Sequence, residues 1–545
     1  MSNCRFKLET DSAYECPHRI YHNRDADLMS RHHFCIFHSP KLSEEKKQRT
    51  VSKGSETREK ILQGIEQREE EFRQKVLELL RQGEADPNTA SLDLRGFSFP
   101  SVDLRSTVFH KPVSFREAHF VQQPRLNAIV FKQATDFCKV KFDTTANFFG
   151  VRFEQDADFS GATFNGDPNF YEAVFEKEAK FLGATFEESA TFLKCQFKGM
   201  ANFGFASFNK GCLFLEAIFT GKVSFSCSAF QNGANFSTAT FNGETSFYNT
   251  PIVGLADFSK TTFEGDISFI NTHFLGIANF SLSSFQGNVY FVSALFGDEA
   301  YFVGDRSTKC FKRENDFRRV ALGKDAALVF DKVDLGMTRL QDTDLERVGF
   351  RDVFWHRPKT WLRRKRALWD EFRPLEQDTE NEPQYERTAE NYRQLVLNYE
   401  KKRDYDSAED FHIGEMEMRR KLTAAGIRSL WLRRAREWVN AHAIYKLLSN
   451  YGTSYVQAFS ALVLLLIGFA FAFFLTGFRP TSDNQGGKFG IVEALLLSLS
   501  VITFQRERFY EPVGWQSRLC LYLAVFMLTA QIALLLLAIR RRFRR

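Results

Sequence analysis

Phenylalanine recurs along this chain at an interval that neither a single helix nor a single strand explains. Between residues 157 and 186 the steps alternate between five and six residues. A step of five turns a side chain roughly 140° around an α-helix, and a strand repeats every second residue. The interval therefore predicts a solenoid in which each short segment forms one side of a coil and points its phenylalanine inward. The predicted core residues are Phe159, Phe164, Phe170, Phe175, Phe181 and Phe186.

The same ladder of apolar residues continues over residues 94–355, with plain steps of five near both ends and an irregular stretch at 310–320. The chain contains 60 Phe, and a bias of this size indicates an internal repeat. A small residue, such as Ala157 or Ala162, often stands two positions before the phenylalanine, which fits a narrow interior filled by side chains. Steps of five and six predict coils of 22 residues, and about ten coils between residues 94 and 302.

The segments Ala157-Asp158-Phe159-Ser160-Gly161 and Ala201-Asn202-Phe203 resemble the pentapeptide-repeat family, whose units read A-(N/D)-L/F-x-x. The resemblance implies a right-handed quadrilateral β-helix with four units per coil, which we assign to residues 91–356. The additional residue in every second unit departs from the family pattern, and we interpret it as a lengthened corner. In such a fold the phenylalanines fill the core, so we expect function on the outer faces.

The charge of the predicted solenoid argues against a role with nucleic acid. Some pentapeptide-repeat proteins mimic DNA, which requires a strongly acidic surface. Residues 91–300 contain 16 Lys and Arg against 21 Asp and Glu, a nearly balanced ratio. We therefore expect no nucleic-acid partner, and instead an unidentified protein partner on the outer surface of the solenoid.

The N-terminal segment, residues 1–45, is rich in Cys and His. Cys4, Cys16, Cys35 and His38 supply four ligands of the kind that tetrahedral zinc prefers, so a structural zinc is the expected cofactor. Rival ligands are His18, His22, His32 and His33. The alternative is a loosely ordered tail with free thiols. The nine Cys are scattered and no signal segment opens the chain, so we expect reduced thiols on the cytosolic side.

Two helical regions flank the predicted solenoid. Residues 46–90 contain a helical pattern of apolar residues, and we expect this helix to cap the open end of the β-helix. Residues 357–453 form a predicted α-helical linker, with two amphipathic helices joined near Arg403 and Asp404. This pair resembles one tetratricopeptide-type hairpin. A single hairpin cannot form its own solenoid, so we interpret it as a packing element.

Residues 454–545 have the composition of a membrane domain. The uncharged segment 456–478 and the apolar segment 519–539 are each long enough to span a bilayer. Basic residues flank both segments on the outer sides, including Arg433 and Arg434 before the first and Arg540 and Arg541 after the second. This pattern predicts a multi-pass protein of the cell inner membrane, in contact with lipid and with both termini cytoplasmic.

Between the two spans, residues 489–504 form an apolar stretch that is short for a crossing and is predicted to be a re-entrant helix. This order resembles the two-helix pore module of potassium channels, in which the short helix ends at a threonine that begins the filter. The filter-like residues here are Thr503, Phe504, Gln505, Arg506 and Arg508. They lack the glycines of a T-V-G-Y-G filter, so potassium selectivity is not expected.

Two functions fit these features. The first is a membrane-anchored interaction scaffold with a cytosolic solenoid. The alternative is an oligomeric ion channel or pore gated through the solenoid, with homo-oligomers formed by the membrane domain. An enzyme is not expected, because no nucleophile, base and orienting group occur together and no phosphate-binding loop is present in the sequence.

Overall fold

The computed structural model describes residues 56–305, 310–358, 364–372, 381–423, 431, 435–437, 439–481, 489–503 and 510–543. For 56–62, 65, 68 and 381–383 only the backbone is described. The chain divides into two compact units, Met1–Trp355 and His356–Arg545, and each is described by itself.

The first unit is a β-solenoid whose short strands stack into four parallel sheets of twelve, eleven, nine and eight strands. The first sheet contains Leu92–Asp93, Val113–Ser114, Thr135–Asp136, Ala157–Asp158, Ala179–Lys180, Ala201–Asn202, Val223–Ser224, Thr245–Ser246, Ile267–Ser268, Val289–Tyr290, Asn315–Asp316 and Thr338–Arg339. The second contains Ser98–Phe99, His119–Phe120, Lys141–Phe142, Thr163–Phe164, Thr185–Phe186, Ser207–Phe208, Ala229–Phe230, Pro251–Ile252, His273–Phe274, Leu295–Phe296 and Ala321–Leu322.

The third and fourth sheets complete the four sides of each coil. The third contains Val108–Phe109, Val130–Phe131, Arg152–Phe153, Val174–Phe175, Gln196–Phe197, Ile218–Phe219, Thr240–Phe241, Thr262–Phe263 and Ser284–Phe285. The fourth contains Ala190–Thr191, Cys212–Leu213, Ala234–Asn235, Ala256–Asp257, Ala278–Asn279, Ala300–Val303, Leu328–Asp331 and Gly349–Arg351. Isolated bridges, such as Asn147 with Asn169, extend this side toward the N-terminal turns.

The strand pairing confirms the predicted β-helix and its coil length. Ala157 pairs with Ala179, and Phe164 pairs with Phe186, each partner lying 22 residues further on. The solenoid has about 12 turns, as the twelve-stranded sheet shows, whereas about ten were expected up to residue 302. The difference arises because the plain five-residue ladder beyond Cys310 continues the same stack, for example in Leu328–Asp331.

The interior of the solenoid consists of stacked phenylalanine rings. All six predicted core phenylalanines are fully buried, and so are Ala157 and Ala162. The Phe159 ring stacks on the Phe181 ring one turn later, with centroids 4.9 Å apart and an angle of 2° between planes. It also meets Phe170 edge to face at 5.7 Å. Stacked and edge-to-face pairs each contribute about 0.5–1.5 kcal/mol beyond the area they bury.

A long helix, α1 (Glu56–Ala85), covers the first turns of the solenoid. The buried Phe72 ring meets the Phe99 ring edge to face, with centroids 5.6 Å apart. The Gln122 side chain donates a hydrogen bond to Glu69 Oε1 at 3.1 Å. The helix therefore shields the aromatic core and the open strand edges at this end, as predicted for a cap.

Six α-helices of the second unit have bounds that the structure describes. They are α2 (Asn381–Lys401), α3 (Tyr405–Leu422), α4 (Ala441–Ser449), α5 (Tyr455–Thr476), α6 (Ile491–Ile502) and α7 (Trp515–Arg542). A short 3-10 helix, Trp369–Glu371, precedes them, and the strands Phe478–Pro480 and Tyr510–Pro512 pair in antiparallel fashion.

The linker helices form the predicted hairpin. α2 and α3 pack against each other and meet at residues 402–404, where Asp404 caps α3 by accepting a hydrogen bond from the Ser407 N–H at 3.0 Å. The Tyr399 and Phe411 rings lie 5.3 Å apart between the two helices.

Helices α5 and α7 pack against each other, and each is long and apolar enough to cross a membrane, by length and composition. They have 22 and 28 residues and correspond to the two predicted spans.

Candidate functional site

Several predicted site residues lie outside the described part of the chain. These are Cys4, Cys16, Cys35 and His38 of the zinc site, and Phe504, Gln505, Arg506 and Arg508 of the filter-like segment. Within the described residues no group of His, Cys, Asp and Glu side chains could hold a metal ion. The zinc site therefore stays a prediction.

Thr503 is the one filter-like residue that the structure describes, and it ends helix α6. Its backbone N–H donates to Leu499 O at 3.3 Å, and its hydroxyl donates to Ser500 O at 3.2 Å. Both bonds belong to the last turn of the helix. A short apolar helix therefore ends at this threonine, as the sequence predicted, but the path of the chain that follows is outside the described residues.

Helix α6 is held between the two long helices by an apolar core. Ala494 is fully buried and shares this core with Phe473 of α5 and Leu528 of α7. The backbone N–H of Gly490 donates to Glu493 Oε2 at 3.0 Å, which caps the start of the helix. The hydroxyl of the buried Ser498 donates to Leu495 O at 2.8 Å, so its hydrogen-bonding capacity is used inside the helix.

Two glutamines in the apolar helices bind the end of helix α4, and sequence reasoning missed both. The Gln531 side chain in α7 is buried and donates to Leu448 O at 3.0 Å and to Ala458 O at 2.8 Å. Gln457 in α5 donates to Lys446 O at 2.9 Å and to Leu447 O at 2.8 Å. A polar side chain in an otherwise apolar span is the sequence signal that marks such a residue.

A second feature that sequence reasoning missed lies on the outside of the solenoid. At one corner of two successive turns the chain carries Val253, Leu255, Leu275 and Ile277, which are between 36% and 51% exposed. We call these four side chains the apolar corner surface. The two corners are adjacent because the Ala256 N–H donates to Ile277 O at 2.8 Å, and Ile252 pairs with Phe274.

The apolar corner surface interrupts a column of mostly polar corners. The equivalent corners of earlier turns read Asn-Gly-Asp at 165–167 and Glu-Glu-Ser at 187–189. The following turn places Asp298 and Glu299 next to the surface. Asp257 lies two residues after Leu255, in a strand of the fourth sheet. The surface is therefore apolar in the middle and acidic at its edge.

A buried polar cluster connects the segment 364–372 to the hairpin. An Arg364 N–H donates to Glu371 Oε2 at 2.6 Å, and the Tyr392 hydroxyl donates to the same oxygen at 2.7 Å. Burial alone raises the pKa of the Glu371 carboxyl, but Arg364 and Lys421 outweigh burial and hold this pKa below its ordinary value. Burial also raises the pKa of the Tyr392 hydroxyl, which stays protonated as a donor. The cluster fixes the segment to the hairpin.

Comparison with known protein families identifies the repeats of the solenoid. A family model described as Pentapeptide repeats (9 copies) matches residues 126–174, 170–218 and 228–272. These residues lie within the stacked turns, so this part of the chain is a pentapeptide-repeat β-solenoid. No match was found among curated proteins or among solved structures.

Proposed function

We propose that this protein is a membrane-anchored interaction scaffold. The two apolar helices α5 and α7 fix the chain in a bilayer, and the solenoid presents its outer faces to a protein partner. The apolar corner surface is the observation that carries the proposal. As expected from the basic flanks of the spans, we place both termini and the solenoid on the cytoplasmic side of the inner membrane.

The solenoid is well suited to binding because its core is independent of its surface. The stacked rings determine the backbone of each turn, so corner residues vary without changing the fold. A contiguous group of exposed apolar side chains with polar residues around it is typical of a protein interface. The acidic edge formed by Asp257, Asp298 and Glu299 favours a partner whose contact segment is both apolar and basic.

The proposal predicts that two substitutions in the apolar corner surface abolish recruitment of a partner to the membrane. In Leu255→Glu with Ile277→Glu, each carboxylate would have to be desolvated by the partner, so we expect the partner to leave the membrane fraction. The partner is first identified by photo-crosslinking from position 255 in cells and then titrated in purified form against vesicle-bound protein.

The matched control is Lys210→Glu, which changes the net charge by the same amount as the double variant. Lys210 is an exposed residue in the same column of corners, two turns earlier. This variant should keep the partner. Unchanged binding in the double variant, with the amide exchange of both turns also unchanged, would exclude this surface as the contact.

The second candidate function is a pore formed by several copies, and the placement of helix α6 favours it. Its 12 residues span about 18 Å, so the helix is too short to cross a hydrocarbon core of roughly 30 Å. It nevertheless packs against both α5 and α7. Its side chains Ile491, Val492 and Leu496 are more than half exposed. A neighbouring copy or lipid would cover them, and two spans alone do not enclose a path.

The pore alternative predicts discrete currents in planar bilayers containing the purified protein. If Arg506 and Arg508 line the pathway, it should favour anions, and Arg506→Ala with Arg508→Ala should reduce that preference because positive charge is lost. Electrical silence across ion conditions, together with a monomeric mass in detergent, would contradict the pore and leave the scaffold.

A further inference from the structure

Helix α4 has one face that is docked and one apolar face that the described residues leave uncovered. Its nine residues begin at Ala441 and are capped by Asn440, whose side chain accepts a hydrogen bond from the Ala443 N–H at 2.8 Å. Ile444 and Leu447 lie three residues apart on one face and are 56% and 72% exposed. A helix in water seldom leaves two neighbouring apolar side chains this exposed.

A neighbouring face of α4 is tied to the hairpin. Ala443 is buried, and Lys446 Nζ lies 2.7 Å from Glu417 Oε1 of α3. The Tyr451 hydroxyl donates to the same Glu417 oxygen at 2.9 Å. The orientation of the helix is therefore set by contacts with its polar side, so the exposure of Ile444 and Leu447 is a fixed property of the fold.

The C-terminal carbonyls of α4 provide a second, independent observation. A helix end leaves four carbonyls without partners in the helix, and in water the solvent satisfies them. Here Gln457 and Gln531, which belong to the two membrane-spanning helices, donate to the carbonyls of Leu447 and Leu448. Gln457 also donates to the Lys446 carbonyl, which the Asn450 N–H binds as well. Such replacement of water by side chains is required where a helix end lies at the depth of lipid.

The apolar face of α4 also continues the surface of α5. Because Gln457 binds the carbonyl of Leu447, the start of α5 lies directly beside α4. Its neighbours Val456 and Phe459 are 59% and 57% exposed and belong to the span. Basic side chains stand nearby, since an Arg541 N–H at the end of α7 donates to Tyr451 O at 3.1 Å.

We propose that α4 is an interfacial helix whose Ile444 and Leu447 insert into the boundary between headgroups and acyl chains, in a leaflet that contains anionic phospholipid. The proposal rests on the membrane anchoring proposed above. Burial of the apolar face, together with attraction of the nearby arginine at the end of α7 to anionic headgroups, would bind the helix at this boundary. It would hold the hairpin at a constant depth below the two spans.

The test places a photo-reactive benzoylphenylalanine at one position at a time in the full-length protein, in vesicles of phosphatidylethanolamine and phosphatidylglycerol. Leu447 is the test position, and the exposed Leu464 in the middle of α5 reports on the span itself. The exposed Leu397 on α2 of the hairpin is the matched control. Lipid adducts are measured by mass spectrometry. We expect several-fold more lipid adducts at positions 447 and 464 than at position 397. When phosphatidylglycerol is omitted, the adducts should decrease at 447 but not at 464.

Labelling at 464 without labelling at 447 would overturn the inference and leave the membrane anchor intact. Crosslinking of 447 to a second copy of the chain, or equal lipid labelling at 447 and 397, would also overturn it. Absence of lipid adducts at 464 would instead contradict the proposed anchoring itself, and the interfacial helix with it.

Discussion

Replacement of Phe181 by alanine is expected to destabilise the solenoid by about 3–5 kcal/mol, because it removes a ring that is packed on every side. The Phe181 ring stacks between those of Phe159 and Phe203, at 4.9 and 4.8 Å, and meets Phe192 edge to face at 5.6 Å. Each turn contacts only its neighbours, so the effect should be local. Hydrogen exchange measured by mass spectrometry should rise in the turns around residue 181 and stay unchanged near residue 290.

Phe205→Ala is the matched control for this prediction. Phe205 is 68% exposed at a corner, where its φ of 57° is in the left-handed region that alanine tolerates about as well. The substitution removes the same atoms without opening a cavity, so we expect a change within about 0.5 kcal/mol. Equal exchange in the two variants would contradict the view that the interior position, and not the aromatic residue as such, stabilises the turn.

The contrast between Phe181 and Phe205 explains what the sequence reveals about the fold. The same inward position recurs in every coil, so the evidence for the spacing accumulates over many turns. The spacing therefore predicts both the solenoid and the pairing of residues 22 apart. Phe205 stands outside that interval, between the inward positions Phe203 and Phe208, and is exposed. The first sheet has ten strands up to Val289–Tyr290, in agreement with the count predicted for residues 94–302, and the stack continues beyond the irregular stretch at Cys310.

The candidate sites were less predictable because their residues become neighbours only after folding. Val253 and Leu275 form one surface only once the 22-residue coil brings their corners together. Gln531 binds carbonyls that lie 83 and 73 residues earlier in the chain, and no local pattern indicates that pairing. Arg364 lies in a basic stretch of the sequence, where nothing local indicates that the fold buries it against Glu371.

Removal of Arg364 from its buried pair with Glu371 is also expected to have a large effect on stability. The Arg364 and Glu371 side chains are only 6% and 7% exposed, so removal of the guanidinium leaves a carboxylate in a site that water does not reach. Lys421, whose Nζ lies 3.4 Å from Glu371 Oε1, is the remaining cation within salt-bridge distance of this carboxylate among the described residues. Breaking one partner of a buried pair costs about 3–5 kcal/mol. We expect Arg364→Met to lose stability of this size near neutral pH.

The stability difference between this variant and the wild-type protein should depend on pH. In the wild-type protein the pKa of Glu371 is lowered, so the pair stabilises the fold above the ordinary carboxyl pKa of 4.5, and this stability is lost as the pH falls through the folded-state value. In Arg364→Met, only Lys421 and the Tyr392 hydroxyl still oppose burial, so the pKa of Glu371 should rise above its wild-type value. Acid then protonates the buried carboxylate, so the deficit relative to wild type should shrink as the pH falls.

Thermal unfolding of each variant in detergent, followed by the loss of the helical signal between about pH 4 and pH 7, checks this prediction. Adding Glu371→Gln to Arg364→Met removes the charge and should restore much of the loss at neutral pH. Arg393→Met is the exposed control, because Arg393 lies 3.7 Å from Glu390 and both side chains are more than half exposed. Its effect should stay within about 0.5 kcal/mol. A deficit in Arg364→Met that is constant across pH would show that lost packing, and not an unpaired Glu371, causes it.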